Sequence, residues 1–497
     1  MMGSSIHPVM SKRQDLRAVQ DVRPTDRWSW IVAALLAFFF LSASAYIATK
    51  RLFWFDETFT VLIARLPDLA TVWKALADYV DSGPIGYHVL TRAVYHLSGQ
   101  WDVSIRLLSA AAMAAAMLIV FDCARRLANG LVGLIAPCVL ASSCLTFYAY
   151  EARSYALVVM LTAISLWLWI HTRERSRAAA LLFGAVSFLA VTMHFYAILG
   201  LTPYGVWEIY RGRFRRLPCP KLIAGTIGAL CACALSTAQI LSSSRMTRNT
   251  SWAPSSTAAL KGVFAQVFPG SLFLLVCVMA LVVLFSNEKQ SPGPMRDGER
   301  VSWFFLSIPF AGYAIAELVT NFLYYRYFLT LLPGVAVAFA SFIGRQSGAN
   351  RKAVWGVFLL LAGVAVGLET RTALHPERIL YFGDQQGKTR AALAVEDAIV
   401  ADGKLYITTP QRLLIPEVRY YSKRPDYYAE LWPDRWQLAA ARYDTSILYW
   451  NMDDLRRHAS ETAVILPTPE FTAAMTRAGI TATAAPGHPE VLYLSAD

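Results

Sequence analysis

Two carboxylates, Asp56 and Glu57, stand side by side after the aromatic run Phe53-Trp54-Phe55. A carboxylate against aromatic rings is partly desolvated, which raises its proton affinity and suits it to take a proton from a hydroxyl. Asp81 lies further along the same polar stretch. Two arginines are set in apolar and aromatic surroundings: Arg153 in Glu151-Ala152-Arg153-Ser154-Tyr155, and Arg326 in Tyr324-Tyr325-Arg326-Tyr327. A guanidinium placed so wants an anion, and its planar fork matches a phosphate or diphosphate. Snorkelling to headgroups would account for Arg153 but would leave Glu151 and the adjoining aromatic groups without a role. His194, Tyr155 and Tyr327 complete the set of candidates. A carboxylate base with two cations is what a reaction needs when a hydroxyl attacks and a phosphate leaves.

Other chemistries find less support. The seven cysteines show no metal-ligand or disulfide spacing, and no His/acid cluster has ligand spacing, so no metal site and no cofactor is expected. The net charge of +12 comes without a zinc finger, a phosphate loop or a base-reading helix, so nucleic acid is not an expected partner. Asn249-Thr250-Ser251 matches a short glycosylation sequon.

These residues need elements to hold them. In 497 residues, apolar types make up 56% and charged types only 16%, with a mean hydropathy of +0.40. A soluble chain carries about 25% charged residues. The composition therefore describes a mainly helical, polytopic membrane protein. A basic tail, 1–27, precedes a first apolar run from Trp28, read as a retained signal anchor. Further runs near 104–127, 131–149, 154–171, 178–194, 196–210, 221–243, 265–286, 302–320, 327–344 and 353–369 bring the total to about eleven transmembrane helices. Splitting 178–210 into two crossings gives loops on the N-terminal side roughly twice the Lys and Arg of the opposite loops. A single crossing there would reverse that bias. The expected arrangement is a cytoplasmic N-terminus, a transmembrane domain over 28–369, and an outer loop over 50–103 that carries the chemistry. Within that loop, 68–80 and 84–99 read as helices lying at the interface, the latter because a span would bury His88, Arg92 and His96 in hydrocarbon.

All the candidate residues, with Arg245 and Arg248, then fall on one face, and the opposite loops hold only basic connectors. Residues 370–497 change character. Strand-like runs at 404–409, 445–450 and 491–495 alternate with helical patterns at 389–401, 435–443, 453–460 and 469–478. A small α/β domain outside the cytoplasm is expected, where it would help select the acceptor.

The sequence resembles the GT-C glycosyltransferases. The resemblance rests on Phe55-Asp56-Glu57 after the first span, Asp81 with Gly83-Pro84-Ile85-Gly86-Tyr87, Glu151-Ala152-Arg153-Ser154-Tyr155, and Arg326-Tyr327-Phe328-Leu329 with Leu332-Pro333. It covers about 28–345 and is nearest to protein O-mannosyltransferase-like and aminoarabinose-transferase-like enzymes. What it implies is transfer of a hexosyl or pentosyl unit from a polyprenyl-phosphate donor to a lipid, glycan or protein acceptor. The transfer would occur at the outer face of a bacterial plasma (inner) membrane. Asp56 takes the place of the family's acidic residue beside the acceptor, Glu57 matches its neighbour, and Glu57 and Asp81 would orient the base. Arg153 and Arg326 would bind the donor phosphate. Where relatives carry His-Pro-Pro or Lys-Pro, this chain has Ser82-Gly83-Pro84, which removes a cation. Direct displacement at the sugar would invert its anomeric centre. Two rival readings are a lipid-linked glycan flippase, which should show ionisable residues near span centres, and a ligase or polymerase using polyprenyl diphosphate. The second has no need of the Asp56-Glu57 pair.

Overall fold

The computed structural model describes residues 24–212, 219–247, 253–284, 294–347, 350–376, 385–411, 414–431, 442–444 and 448–496. The basic tail up to residue 23, Arg248 and the sequon at 249–251 lie outside them, as does most of 435–443.

The first span is α1 (Pro24–Lys50). The outer loop folds into α2 (Phe55–Arg65), α3 (Leu69–Ala77) and α4 (Ile85–Leu97). Asp68 caps α3 by accepting from the Thr71 N–H at 2.7 Å. Its buried face is Val72, Ala75 and Leu76, while Leu69 is exposed. Arg92 of α4 donates to the carbonyls of Ala64, Leu66 and Pro67, so a cation closes the C-terminal end of α2. His88 does not face outward from α4 as an interfacial helix would have it: it is fully buried toward Asp81.

The bundle continues with α5 (Val103–Leu127), then the short α6 (Gly130–Gly133), α7 (Ile135–Ala141) and α8 (Leu145–Ala149). Next come α9 (Tyr155–His171), α10 (Arg177–Met193) and α11 (Thr202–Tyr210), the last entered through a 3-10 turn at Phe195–Leu201. After them run α12 (Pro220–Leu235), α13 (Thr237–Thr247), α14 (Thr257–Val267) and α15 (Leu272–Leu284). The last membrane-side helices are α16 (Asp297–Phe304), α17 (Ile308–Ile315), α18 (Leu332–Ser347) and α19 (Arg351–Leu374). Arg326 sits in the 3-10 turn Tyr325–Leu331 that leads into α18. Among the described residues, five helices are long and apolar enough to cross a membrane, or up to seven if each bent pair counts as one. The bends are 71° between α12 and α13 and 75° between α14 and α15.

Small residues let the helices close up, as lipid-embedded packing favours. Ala112, Ala116 and Ala124 of α5 are buried with Met113, Met117, Val120 and Phe121. Between α10 and α12 the approach is closer still: a Cβ on Gly228 would stand 2.1 Å from the Gly184 carbonyl oxygen.

The C-terminal region is α/β, as the alternation predicts. It contains α20 (Gln385–Ala401), α21 (Leu414–Tyr421), α22 (Met452–Arg457) and α23 (Pro469–Arg477). Strands β1 (Tyr406–Thr408), β4 (Thr462–Ile465), β5 (Ile480–Ala485) and β6 (His488–Ala496) form one sheet in the order β1-β4-β6-β5. The β1–β4 pair is parallel and the others are antiparallel. A separate parallel pair joins β2 (Ala429–Leu431) and β3 (Leu448–Trp450). Strands β2, β4 and β5 were not among the expected runs.

Candidate active site

The acidic pair at the start of α2 is split by helix geometry. Successive residues diverge by about 100° around a helix, so Asp56 and Glu57 face different surroundings. Glu57 is fully buried. Arg106 of α5 grips it through Nε at 2.7 Å and Nη2 at 2.5 Å, the Ala152 N–H donates to it at 2.6 Å, and the Trp54 N–H at 3.1 Å. Both carboxylate oxygens are therefore in use. Arg106 also donates to the carbonyls of Ala48, Arg51 and Leu52 at the end of α1. This one pair pins α1, α2, α5 and the 150–154 turn together. Glu151 belongs to the same buried layer, 3.3 Å from Arg51 Nη1. Burial raises its carboxyl to about 7, with Arg51 pulling the other way.

Asp56 looks out instead. Its side chain is 22% exposed, while Arg153 and Arg326 beside it are 11% and 7% exposed. Arg326 Nη1 lies 3.4 Å and Arg153 Nη2 3.8 Å from the same oxygen, Oδ2. Arg153 is held firmly: its Nη1 donates to Asp81 Oδ2 at 2.8 Å and to the Asp56 carbonyl at 3.3 Å. Burial pushes the Asp81 carboxyl up, yet Arg153 and its hydrogen bonds prevail and hold it below the usual range. The Gly83 N–H completes Asp81 at 3.1 Å. His88 Nε2 stands 3.7 Å from Asp81, and burial lowers that imidazole to about 4, so it is neutral at physiological pH.

An aromatic wall closes the other side. The Arg326 guanidinium lies over the rings of Tyr324, Tyr155 and Tyr327, with centroids 5.1, 5.6 and 5.7 Å away. His194 touches Tyr155 and Tyr327, at 5.3 and 5.0 Å between ring centroids. Tyr327 stacks on Tyr196 at 4.8 Å.

Of the nine sequence candidates, seven converge here: Asp56, Asp81, Arg153, Tyr155, His194, Arg326 and Tyr327. Glu57 and Glu151 are drawn into the layer behind. Sequence reasoning missed Arg51, His88 and Arg106. The one available signal was that Arg106 is a charge just inside an apolar run, the same signal that marked Arg153 and Arg326. The pocket as folded pairs two guanidiniums with two carboxylates, so an incoming anion must compete with Asp56 or Asp81 for its arginine.

Residues 82–237 match the family described as dolichyl-phosphate-mannose-protein mannosyltransferase. No curated protein sequence matches the chain. In structure it is similar to ArnT from Cupriavidus metallidurans bound to undecaprenyl phosphate, at 13% identity and a TM-score of 0.58, over 94% of this chain and 97% of that one. The apo form of ArnT from the same organism gives 12% identity and a TM-score of 0.59 over the same shares. Residues 82–237 thus carry the match to that mannosyltransferase family, and nearly the whole chain shares the fold of ArnT.

Proposed function

We propose that the protein transfers a sugar from a polyprenyl-phosphate donor to a hydroxyl acceptor at the face that carries Asp56, with inversion at the anomeric carbon. The observation that carries this reading is the convergence of Arg153 and Arg326 on one part-exposed carboxylate, Asp56. The likeness to ArnT, whose crystals contained undecaprenyl phosphate, supports the choice of donor. In this mechanism the donor phosphate takes the place of Asp56 on Arg326, whose Nη1 lies 3.4 Å from that carboxylate. The carboxylate so released accepts the acceptor's O–H proton. The acceptor oxygen bonds to the anomeric carbon, the bond from that carbon to the phosphate oxygen breaks, and polyprenyl phosphate departs. Phosphate needs no general acid to leave, so cations suffice for it. Arg153, fastened to Asp81, provides a fixed positive charge. The proposed setting is a bacterial plasma membrane crossed about eleven times, with the N-terminus cytoplasmic and the Asp56 cluster outside.

The test is transfer in membranes from radiolabelled polyprenyl-phosphate sugars, wild type beside Asp56→Asn. Loss of roughly 10²–10⁴-fold in a normally inserted variant is expected for a missing base. Equal transfer by both would remove Asp56 from the mechanism, and no transfer by wild type from any donor would count against the enzyme itself.

A further inference from the structure

At the opposite end of the bundle from Asp56, a second group of ligating side chains comes together. Helix α5 starts beside the catalytic layer and runs roughly 37 Å at 1.5 Å per residue, so Leu127 marks the far end. There a cavity of about 310 Å³ is lined by Leu127, Trp169, Glu174, Trp207, Cys219 and Lys221, among others. Glu174 lies in the turn between α9 and α10, Glu208 on the last turn of α11, and Cys219 just before α12. One oxygen of each carboxylate and the Cys219 Sγ all lie within 4.8 Å of one another.

The telling member is Glu208. It is fully buried, and neither carboxylate oxygen has a hydrogen-bond partner. Among the described residues no cation pairs with it. The nearby ammonium of Lys221 is turned to the carbonyls of Leu168 and Thr172, at 3.1 and 3.0 Å. Arg211 goes to Glu174, at 3.5 Å. A buried carboxylate without partners costs several kcal/mol, and a bound cation removes that cost.

We propose that Glu174, Glu208 and Cys219 form a site for a thiophilic divalent cation such as Zn²⁺. Two carboxylate oxygens and a thiolate suit that ion, and a water from the cavity can fill the fourth position. Ligands about 2.0–2.3 Å from a tetrahedral metal lie within roughly 4 Å of one another, so closing the site needs only small side-chain shifts. The metal would staple the α9–α10 turn, α11 and the start of α12, far from the transfer chemistry and independent of it. The separation of positions 174, 208 and 219 explains why no ligand spacing shows in the sequence.

Tag-free full-length protein, purified in detergent and stripped with a chelator, provides the test. After equilibration with Zn²⁺ and desalting, wild type should retain about one ion per chain, and Glu208→Gln should lower its affinity at least tenfold. With Co²⁺, wild type should show a thiolate-to-metal charge-transfer band that Cys219→Ser abolishes and Cys233→Ser keeps. Gel filtration checks that each variant is folded. Absence of retained Zn²⁺ and of the Co²⁺ band in wild type would overturn the site. So would retention that survives both substitutions. The wild-type spectrum decides the matter even if a variant fails to fold.

Discussion

Asp56 and Glu57 are one bond apart in sequence and differ in what their loss should do. Glu57→Gln leaves the Arg106 guanidinium buried with its charge uncompensated, and losing one partner of a buried pair costs about 3–5 kcal/mol. Thermal unfolding of the purified protein should therefore fall well below wild type, while transfer per folded molecule falls far less than in Asp56→Asn. Asp56→Asn should show the reverse, near-normal unfolding with little turnover. If the two variants behaved alike, the division between the pocket and the layer behind it would be wrong. At this scale the sequence was informative wherever a charge stood out against apolar neighbours, as with Asp56, Arg153 and Arg326. It could not separate Glu57 from Asp56, because that depends on Arg106, 49 positions away. His88 was hidden for a similar reason: its partner Asp81 belongs to the turn before α4, and only the fold aims one at the other.

Helices were legible from apolar run length, and the positions of most of them follow the runs. Their continuity was not. The apolar pattern over 221–243 carries no sign of the bend beside Ser236, whereas Pro269-Gly270 inside 265–286 is a break signal that run length alone passes over. Short strands such as β4 (Thr462–Ile465), buried on both faces, give no alternation to read. Close packing at this scale makes its own prediction. Gly228→Val should destabilise the protein by about 1–3 kcal/mol or more, because the new Cβ meets backbone rather than a movable side chain. Gly205→Ala, in open space on α11, should be neutral or slightly stabilising by helix propensity. Unfolding temperatures of the two variants side by side check both, and equal effects would contradict the α10–α12 contact.

Across the whole molecule, the C-terminal region is joined to the loop after α1 by hydrogen bonds, two of them next to Asp56. Glu417 accepts from the Phe55 N–H at 2.8 Å, Tyr421 accepts from the Phe53 N–H at 2.5 Å, and Tyr443 donates to Asp78 at 2.6 Å. The domain thus has a means of holding the start of α2, in addition to the acceptor selection expected of it. Burial raises the Glu417 carboxyl to about 7, opposed by its bonds to Thr389 and Phe55 and reinforced by Glu57. The folded chain keeps this proton up to about pH 7, whereas the unfolded chain releases it near the ordinary value of about 4.5. Between those pH values the folded form binds more protons, so this group's contribution to stability declines as pH rises, and levels off above about 7. Glu417→Gln should remove that decline. Unfolding temperature against pH for wild type minus variant isolates it from Glu151, and a flat difference would show that the Glu417 seam carries no proton linkage.

The same seam constrains the parity of the proposed topology. The C-terminal domain touches Phe53, Phe55, Asp78 and Asp102, so it and the loop that follows α1 share one side of the membrane. A chain that leaves a compartment and returns to it has crossed an even number of times. However the bent pairs α12–α13 and α14–α15 are tallied, the proposed crossings between Arg65 and Leu414 can be revised only two at a time. A segment that dips in and turns back adds nothing to the tally. In the proposed topology α1 makes the total odd, which fits a cytoplasmic N-terminus and a C-terminal region on the side of Asp56.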